Sequence, residues 1–324
     1  MMLTVNIPSQ TIKGKSFDLW IMTTTTHQTK SRAQLWFAAI KPPMYSVAVI
    51  PITVGTAVAF AQTQIFHLTI FSLFLSAAVL IVAWLNLSND VFDYETGIDK
   101  NKAHSVVNLT EKKSLVFWLG NSLLLLAILE IIGIAWLQQD ATVLAIVLLS
   151  CFLGYTYQGP PFRLGYQGLG EIICFICFGP LALEAAYYSQ TKSFSTINLA
   201  VSVIIGITTS IILFCSHFHQ VQDDLAAGKR SPIVRLGTAS GARVLLWSVV
   251  SVFILTILFV LLGLFPQLTL LMFASLPFAY HLVTHVQTHH NQAEKVSNCK
   301  FIAVKLHFFS GLLLAIGFIL SSFL

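Results

Sequence analysis

The chain has 324 residues, of which 56% are hydrophobic and only 10% charged. Soluble domains carry about 45–50% apolar and roughly 25% charged residues, so this composition excludes an ordinary soluble enzyme, a disordered chain and a secreted disulfide scaffold. The mean hydropathy of +0.80 agrees. The net charge of +5 is spread along the chain and not gathered in one patch, so no nucleic-acid partner is expected.

A helix needs about 20 mostly apolar residues to cross the hydrocarbon layer of a membrane. Nine such stretches are predicted, near residues 41–60, 67–87, 115–137, 141–157, 169–188, 197–217, 243–263, 267–286 and 303–324. They are far longer than barrel strands, and backbone groups in lipid must be satisfied internally. The expected fold is therefore all-α, a polytopic membrane bundle of nine transmembrane helices in lipid. Residues 1–34 read as a polar cytoplasmic leader and not a secretory signal, followed by one domain over 35–324. Of the 18 Lys and Arg, only Lys192 falls on the far side of such a bundle. This one-sided distribution places the basic face in the cytoplasm.

The acidic residues are few, thirteen in all, and most of them gather on that face. The loop after the second span reads Asn86-Leu-Ser-Asn89-Asp90-Val-Phe-Asp93-Tyr-Glu95-Thr-Gly97-Ile-Asp99-Lys100-Asn-Lys102. If the helix runs on to about residue 95, offsets of three and four put Asn86, Asp90 and Asp93 on one side. Such oxygen ligands suit a hard cation such as Mg²⁺, which is commonly shared between carboxylates and substrate phosphates. The plainer reading is a solvated loop whose acids balance nearby lysines.

The loop after the sixth span repeats the theme as His217-Phe-His219-Gln220-Val-Gln222-Asp223-Asp224, then Gly228-Lys229-Arg230. The four-residue spacings Gln220–Asp224 and His219–Asp223 suggest a polar face emerging from the end of a hydrophobic helix. Adjacent aspartates repel unless cations offset them, and Arg can hold phosphate oxygens in a bidentate fork. A third element, Tyr155 through Glu171, is rich in Pro and Gly and presents Arg163. Lys41-Pro42-Pro43 marks the start of the first span. Two acidic loops with basic neighbours on one membrane face suggest a magnesium-bridged diphosphate.

Together these segments resemble the UbiA superfamily of intramembrane prenyltransferases. Asn89-Asp90-Val-Phe-Asp93 with Gly97 and Asp99 is similar to its first Asp-rich motif. Asp224, Gly228-Lys229 and Val234-Arg235-Leu236-Gly237 are similar to the second motif and its tail. Lys41-Pro42 stands for the basic-Pro pair, and Tyr155–Glu171 resembles the loop between the fourth and fifth helices. Within the superfamily the chain is most similar to the cyanobacterial and plastid branch that acts on 1,4-dihydroxy-2-naphthoate, on the strength of 99–110 and 217–237. One position departs: Gln220 stands where the second motif usually begins with Asp. Either Asp223 compensates, or the second magnesium is held by fewer carboxylates.

The resemblance implies Mg²⁺-dependent transfer of a phytyl group from phytyl diphosphate to 1,4-dihydroxy-2-naphthoate, with loss of CO₂, in phylloquinone synthesis. It implies Asp90, Asp93, Asp223 and Asp224 as metal ligands, and Asp99 as a candidate base. Arg163, Lys229, Arg230 and possible partners Lys41 and Lys102 would meet the diphosphate, with Asn86, Asn89, Gln220 and Tyr155 lining the substrate site. A cyanobacterial plasma or thylakoid membrane is the implied location. A longer polyprenyl donor, a homogentisate acceptor, and a transporter are the alternatives. His281, His285 and His289 read as an interfacial polar edge, and Cys174-x-x-Cys177 as lipid-embedded thiols.

Overall fold

The computed structural model describes residues 32–98 and 105–324. The expected leader lies outside the described residues as far as residue 31, as do Asp99, Lys100 and Lys102. The boundary placed at 34/35 falls inside a first helix, Arg32–Ile40. Proline pushes the residue before it out of the helical region. Accordingly this helix stops, Lys41 adopts a left-handed backbone with φ 54°, and a 3₁₀ turn over Pro42–Tyr45 leads into the first span, Ser46–Thr63.

Among the described residues, eight helical stretches are long and apolar enough to cross a membrane. A ninth, the fourth span Thr142–Gln158, is apolar but has only 17 residues. The others are the second span Leu68–Thr96, the third Lys113–Gln138, the fifth Gly170–Thr191, the sixth Thr196–Ser216, the seventh Thr238–Leu261, the eighth Gln267–His289 and the ninth Cys299–Ser321. No strand occurs among the described residues. The chain is an all-α integral membrane protein.

Contacts between helix ends fix the alternation. At one end Lys41 meets Asp90, Lys113 meets Glu95, and Thr238 meets His290. At the other, the His67 amide donates to Gln190, Lys192 donates to the Gln138 carbonyl, and Ser195 donates to Gln62. The starts of odd spans and the ends of even spans therefore share a face, the one that carries both acidic loops. In the stretches containing spans 1, 6 and 9, 61% of the most apolar window is buried, against 22% for spans 2 and 3. The former make the centre of the bundle and the latter a lipid-facing flank.

Without a hydrophobic drive between helices in lipid, close association depends on packing and small residues. Gly179 and Gly206 supply it between spans 5 and 6. A Cβ on Gly179 would stand 2.7 Å from the Ser202 carbonyl oxygen and 2.9 Å from the Gly206 Cα. Span 5 accommodates Pro180, which has no N–H to give, through a π turn over Cys177–Leu181.

Two expectations about helix ends change. The second helix runs past 87 to Thr96 and carries Asp90 and Asp93 on its final turns, which meets the condition for Asn86, Asp90 and Asp93 to share a side. The second acidic loop is not a prolongation of the sixth helix, as the four-residue spacings suggested. That helix ends at Ser216. Residues 217–220 turn through three-residue hydrogen bonds, His217 to Phe214 and Gln220 to His217. A separate helix, Val221–Ala226, carries the aspartates.

Candidate active site

Asp90 sits one turn and a half inside the end of the second helix and is 1% exposed. Its Oδ1 lies 3.2 Å from Lys41 Nζ, and its Oδ2 accepts from the Val106 amide at 2.8 Å. The contact with Val106 secures the start of the short helix Val106–Thr110 against the second span. Asp93, three residues on, accepts from Gln158 Nε2 at 2.8 Å and from Tyr166 Oη at 3.3 Å. Asn86, Asp90 and Asp93 thus share a helical side, as their spacing predicted. Asn86 and Asn89 are half-buried on the same turns.

The loop joining spans 4 and 5 closes over this cluster. Gly168 has φ +78°, and a Cβ there would meet the Arg230 carbonyl oxygen at 2.5 Å. Only glycine accepts both the backbone conformation and the contact. The Arg230 amide donates to the Tyr166 carbonyl at 2.8 Å, which ties the loop to the second acidic loop. Arg163 lies 3.8 Å from Glu95, and Lys113 approaches the same carboxylate at 2.6 Å. The Tyr155 hydroxyl donates to the Pro160 carbonyl at 2.7 Å, and its ring packs edge-on against Phe92. Its observed contacts brace the loop.

In the second acidic loop the two aspartates part. Asp224 is fully buried, whereas Asp223 is exposed. The reason is geometric: neighbouring residues on a helix are turned well apart and do not share a face. Asp224 Oδ2 is 3.2 Å from His217 Nδ1, and Oδ1 is 3.5 Å from Lys229 Nζ. On its other side His217 Nε2 stands 3.3 Å from Glu171 Oε1, at the start of span 5. Lys229 is also 5.8 Å from the centre of the Tyr166 ring. Gln220 is half-buried, and its carbonyl accepts the Asp224 amide. Arg230 is exposed.

Charge balance follows from this burial. Burial pushes His217 toward the neutral imidazole, but hydrogen bonds to Asp224 and Glu171 outweigh it and hold its pKa above the ordinary histidine value. Burial also works against the Asp224 carboxylate; the His217 hydrogen bond and the Lys229 charge prevail and keep its pKa below the usual range. Asp93, Tyr166, Lys229 and Asp224 thereby form a continuous polar path between loops that are 131 residues apart in sequence (Asp93 to Asp224).

A model of the UbiA prenyltransferase family matches residues 48–323. The chain belongs to that family. It is 61% identical over 285 residues to the 2-carboxy-1,4-naphthoquinone phytyltransferase of Synechocystis sp., covering 88% of this chain and 93% of that one. It is 42% identical over 301 residues to the chloroplastic 2-carboxy-1,4-naphthoquinone phytyltransferase of Arabidopsis thaliana, covering 90% and 78%. Among solved structures, a UbiA homologue from Archaeoglobus fulgidus bound to GPP and Mg²⁺ shares the fold with a TM-score of 0.56, at 14% identity over 86% of this chain and 99% of that one.

This end of the bundle fits a divalent cation in one particular way. No group of three His, Cys, Asp or Glu converges as a cage among the described residues. Mg²⁺ does not need one, because it is typically held by one or two carboxylates together with substrate phosphates. Asp224 Oδ1 is buried and accepts no hydrogen bond, which leaves an oxygen lone pair for a cation to complete. The structure therefore brings Asp90, Asp93, Asp224, Lys41 and Lys229 to one face and leaves Asp223 outward. Replacing Asp223 by Asn should change kcat/KM by no more than about twofold, as for an exposed surface position. Asp224→Asn should lower it by about 10²-fold or more. Equal losses in the two variants, measured in liposomes, would contradict this assignment.

Sequence reasoning singled out neither Tyr166 nor His217 as a contact to the aspartates. Both lie inside the segments 155–171 and 217–230, but only the fold shows which hydroxyl and which ring turn toward them. The remaining intramembrane acids have local partners: Ser76 donates to Glu130 and Asn198 to Glu184. The histidine rings of the eighth span contact one another, tilted between His281 and His285 and edge-on between His285 and His289, with His285 also bonded to the Lys295 carbonyl.

Proposed function

We propose that the chain transfers a phytyl group from phytyl diphosphate to 1,4-dihydroxy-2-naphthoate, with decarboxylation, as a step of phylloquinone synthesis. The observation that carries the chemistry is the meeting of two acidic loops, each with its own lysine, at one end of a membrane bundle. The 61% likeness to a phytyltransferase supports the choice of donor and acceptor. That relative's name gives its acceptor as a quinone. Attack on an allylic cation calls for an electron-rich ring, so the nucleophile is the hydroquinone.

In the reaction the C1–O bond of the phytyl diphosphate breaks and diphosphate departs. A ring carbon bonds to C1, and the carboxylate leaves as CO₂, returning its electron pair to the ring. The balance requires no net proton acceptor. Bound Mg²⁺ supplies charge neutralisation for the departing diphosphate. Asp90, Asp93 and Asp224 would hold it; Asp223 faces outward and Asp99 lies outside the described residues. Lys229 and Lys41, now facing Asp224 and Asp90, are positioned to turn toward added phosphate charge, with Arg163 and Arg230 at the rim. Preorganised cations of this kind, acting where water is excluded, are usually the largest catalytic contribution. Asn86, Asn89, Gln220 and Tyr155 border the site, and the surrounding lipid gives an isoprenoid tail an apolar environment.

The charged end is assigned to the cytoplasm on the distribution of Lys and Arg, and residues 35–324 to one catalytic domain. The test is turnover by purified protein in liposomes with phytyl diphosphate, 1,4-dihydroxy-2-naphthoate and Mg²⁺. Prenylated product is expected, abolished by EDTA and restored by excess Mg²⁺. Product formation that persists in EDTA would contradict the metal assignment.

A further inference from the structure

We propose that Glu171 and His217 act as a two-residue brace that orients Asp224 for metal binding. This inference rests on the proposed function, since it presupposes a divalent cation at Asp224. Three features of the fold support it. The sixth helix stops at Ser216, and the turn that follows folds His217 back onto a residue seven positions later. His217 is 2% exposed and lies between two carboxylates, with Nδ1 3.2 Å from Asp224 and Nε2 3.3 Å from Glu171. Glu171 comes from the start of span 5, which packs against span 6, so carboxylates from two separate elements flank the ring at its two nitrogens.

The consequence for Asp224 is directional. His217 engages Oδ2, and Oδ1 is left buried without a hydrogen bond, with the Lys229 ammonium 3.5 Å away. A carboxylate fixed through one oxygen presents the other in a set direction, as partners behind a metal ligand do in metal sites generally. With Gln220 able to offer only a neutral amide oxygen, and Asp223 turned outward, the second loop depends on this one carboxylate. His217 and Glu171 are positioning residues, since they act through Asp224.

Metal binding is the discriminating readout, measured as Mn²⁺ affinity by electron paramagnetic resonance with a non-ionising thiodiphosphate analogue of the donor. His217→Ala should weaken Mn²⁺ binding about 10–100-fold, the usual cost of removing a partner behind a metal ligand. His217→Asn, whose amide nitrogen takes the place of Nδ1, should recover most of that loss. Glu171→Gln should lie near wild type, because its amide keeps an oxygen beside Nε2, and Glu171→Ala should fall between. If His217→Ala is too unstable to purify, the Asn and Glu171 variants carry the same ordering. Mn²⁺ affinity unchanged in His217→Ala or Glu171→Ala, or His217→Asn as weak as His217→Ala, overturns the brace. Wild-type protein that binds no Mn²⁺ with the analogue overturns the proposed function as well, so the two failures are distinguishable.

Discussion

Asp90→Asn should lower kcat by about 10²–10³-fold, the scale of losing one group that stabilises charge in the transition state, while the protein remains folded. Asparagine keeps an oxygen to accept the Val106 amide, so the short helix after the second span retains its anchor. What disappears is the negative charge that faces Lys41 and, in the proposed function, the cation. Asp90→Ala is the less informative change. It strips the Val106 amide of its partner and leaves Lys41 without its acid, and breaking a buried pair costs about 3–5 kcal/mol. Lys41 is 20% exposed, which brings that cost toward the lower end. A thermal midpoint lowered less than in Asp90→Ala, because the Val106 contact is kept while the Lys41 pair is lost, together with lost turnover, is the expected signature of Asp90→Asn. Turnover within tenfold of wild type would remove Asp90 from the reaction.

Lys229→Met should reduce kcat/KM for the diphosphate donor by about 10²-fold, with a smaller effect on the acceptor. The side chain is 7% exposed and is the only lysine within 4.0 Å of Asp224 among the described residues. It also lies against the Tyr166 ring, whose hydroxyl reaches Asp93. Methionine fills the same apolar volume without the charge, so the change isolates the electrostatic contribution from the packing of the stem. Stability should fall as well, by about 3 kcal/mol at most, because His217 still faces Asp224. Donor and acceptor KM values measured separately decide the matter. An acceptor-specific effect would place Lys229 on the aromatic substrate and not on the diphosphate.

Much of the fold is legible in the chain because a bilayer imposes a length that the apolar runs must meet. The fourth span, expected over 141–157, is observed at Thr142–Gln158, and the bias of Lys and Arg anticipates which helix ends gather. The first acidic cluster is legible too, because Asn86, Asp90 and Asp93 lie on one uninterrupted helix where spacing determines direction. The second is not, because its helix breaks at Ser216, and from that point a four-residue offset carries no directional meaning. Asp223 and Asp224 show the limit. Their adjacency raised the local acid count but forbade a shared face, a constraint that becomes decisive once Val221–Ala226 is known to be helical. Contacts across loops, such as Lys229 on Tyr166 and Glu171 on His217, depend on which spans are neighbours and have no periodic signature.

The most direct test uses carboxyl-labelled 1,4-dihydroxy-2-naphthoate with purified protein in liposomes containing Mg²⁺ and phytyl diphosphate. Labelled CO₂, diphosphate and phytylated naphthoquinol should appear in equal amounts, and all three should vanish in Asp90→Asn. Diphosphate released without prenylated product, product that retains the carboxyl label, or product formed only from homogentisate or only with a longer polyprenyl donor would contradict the assignment.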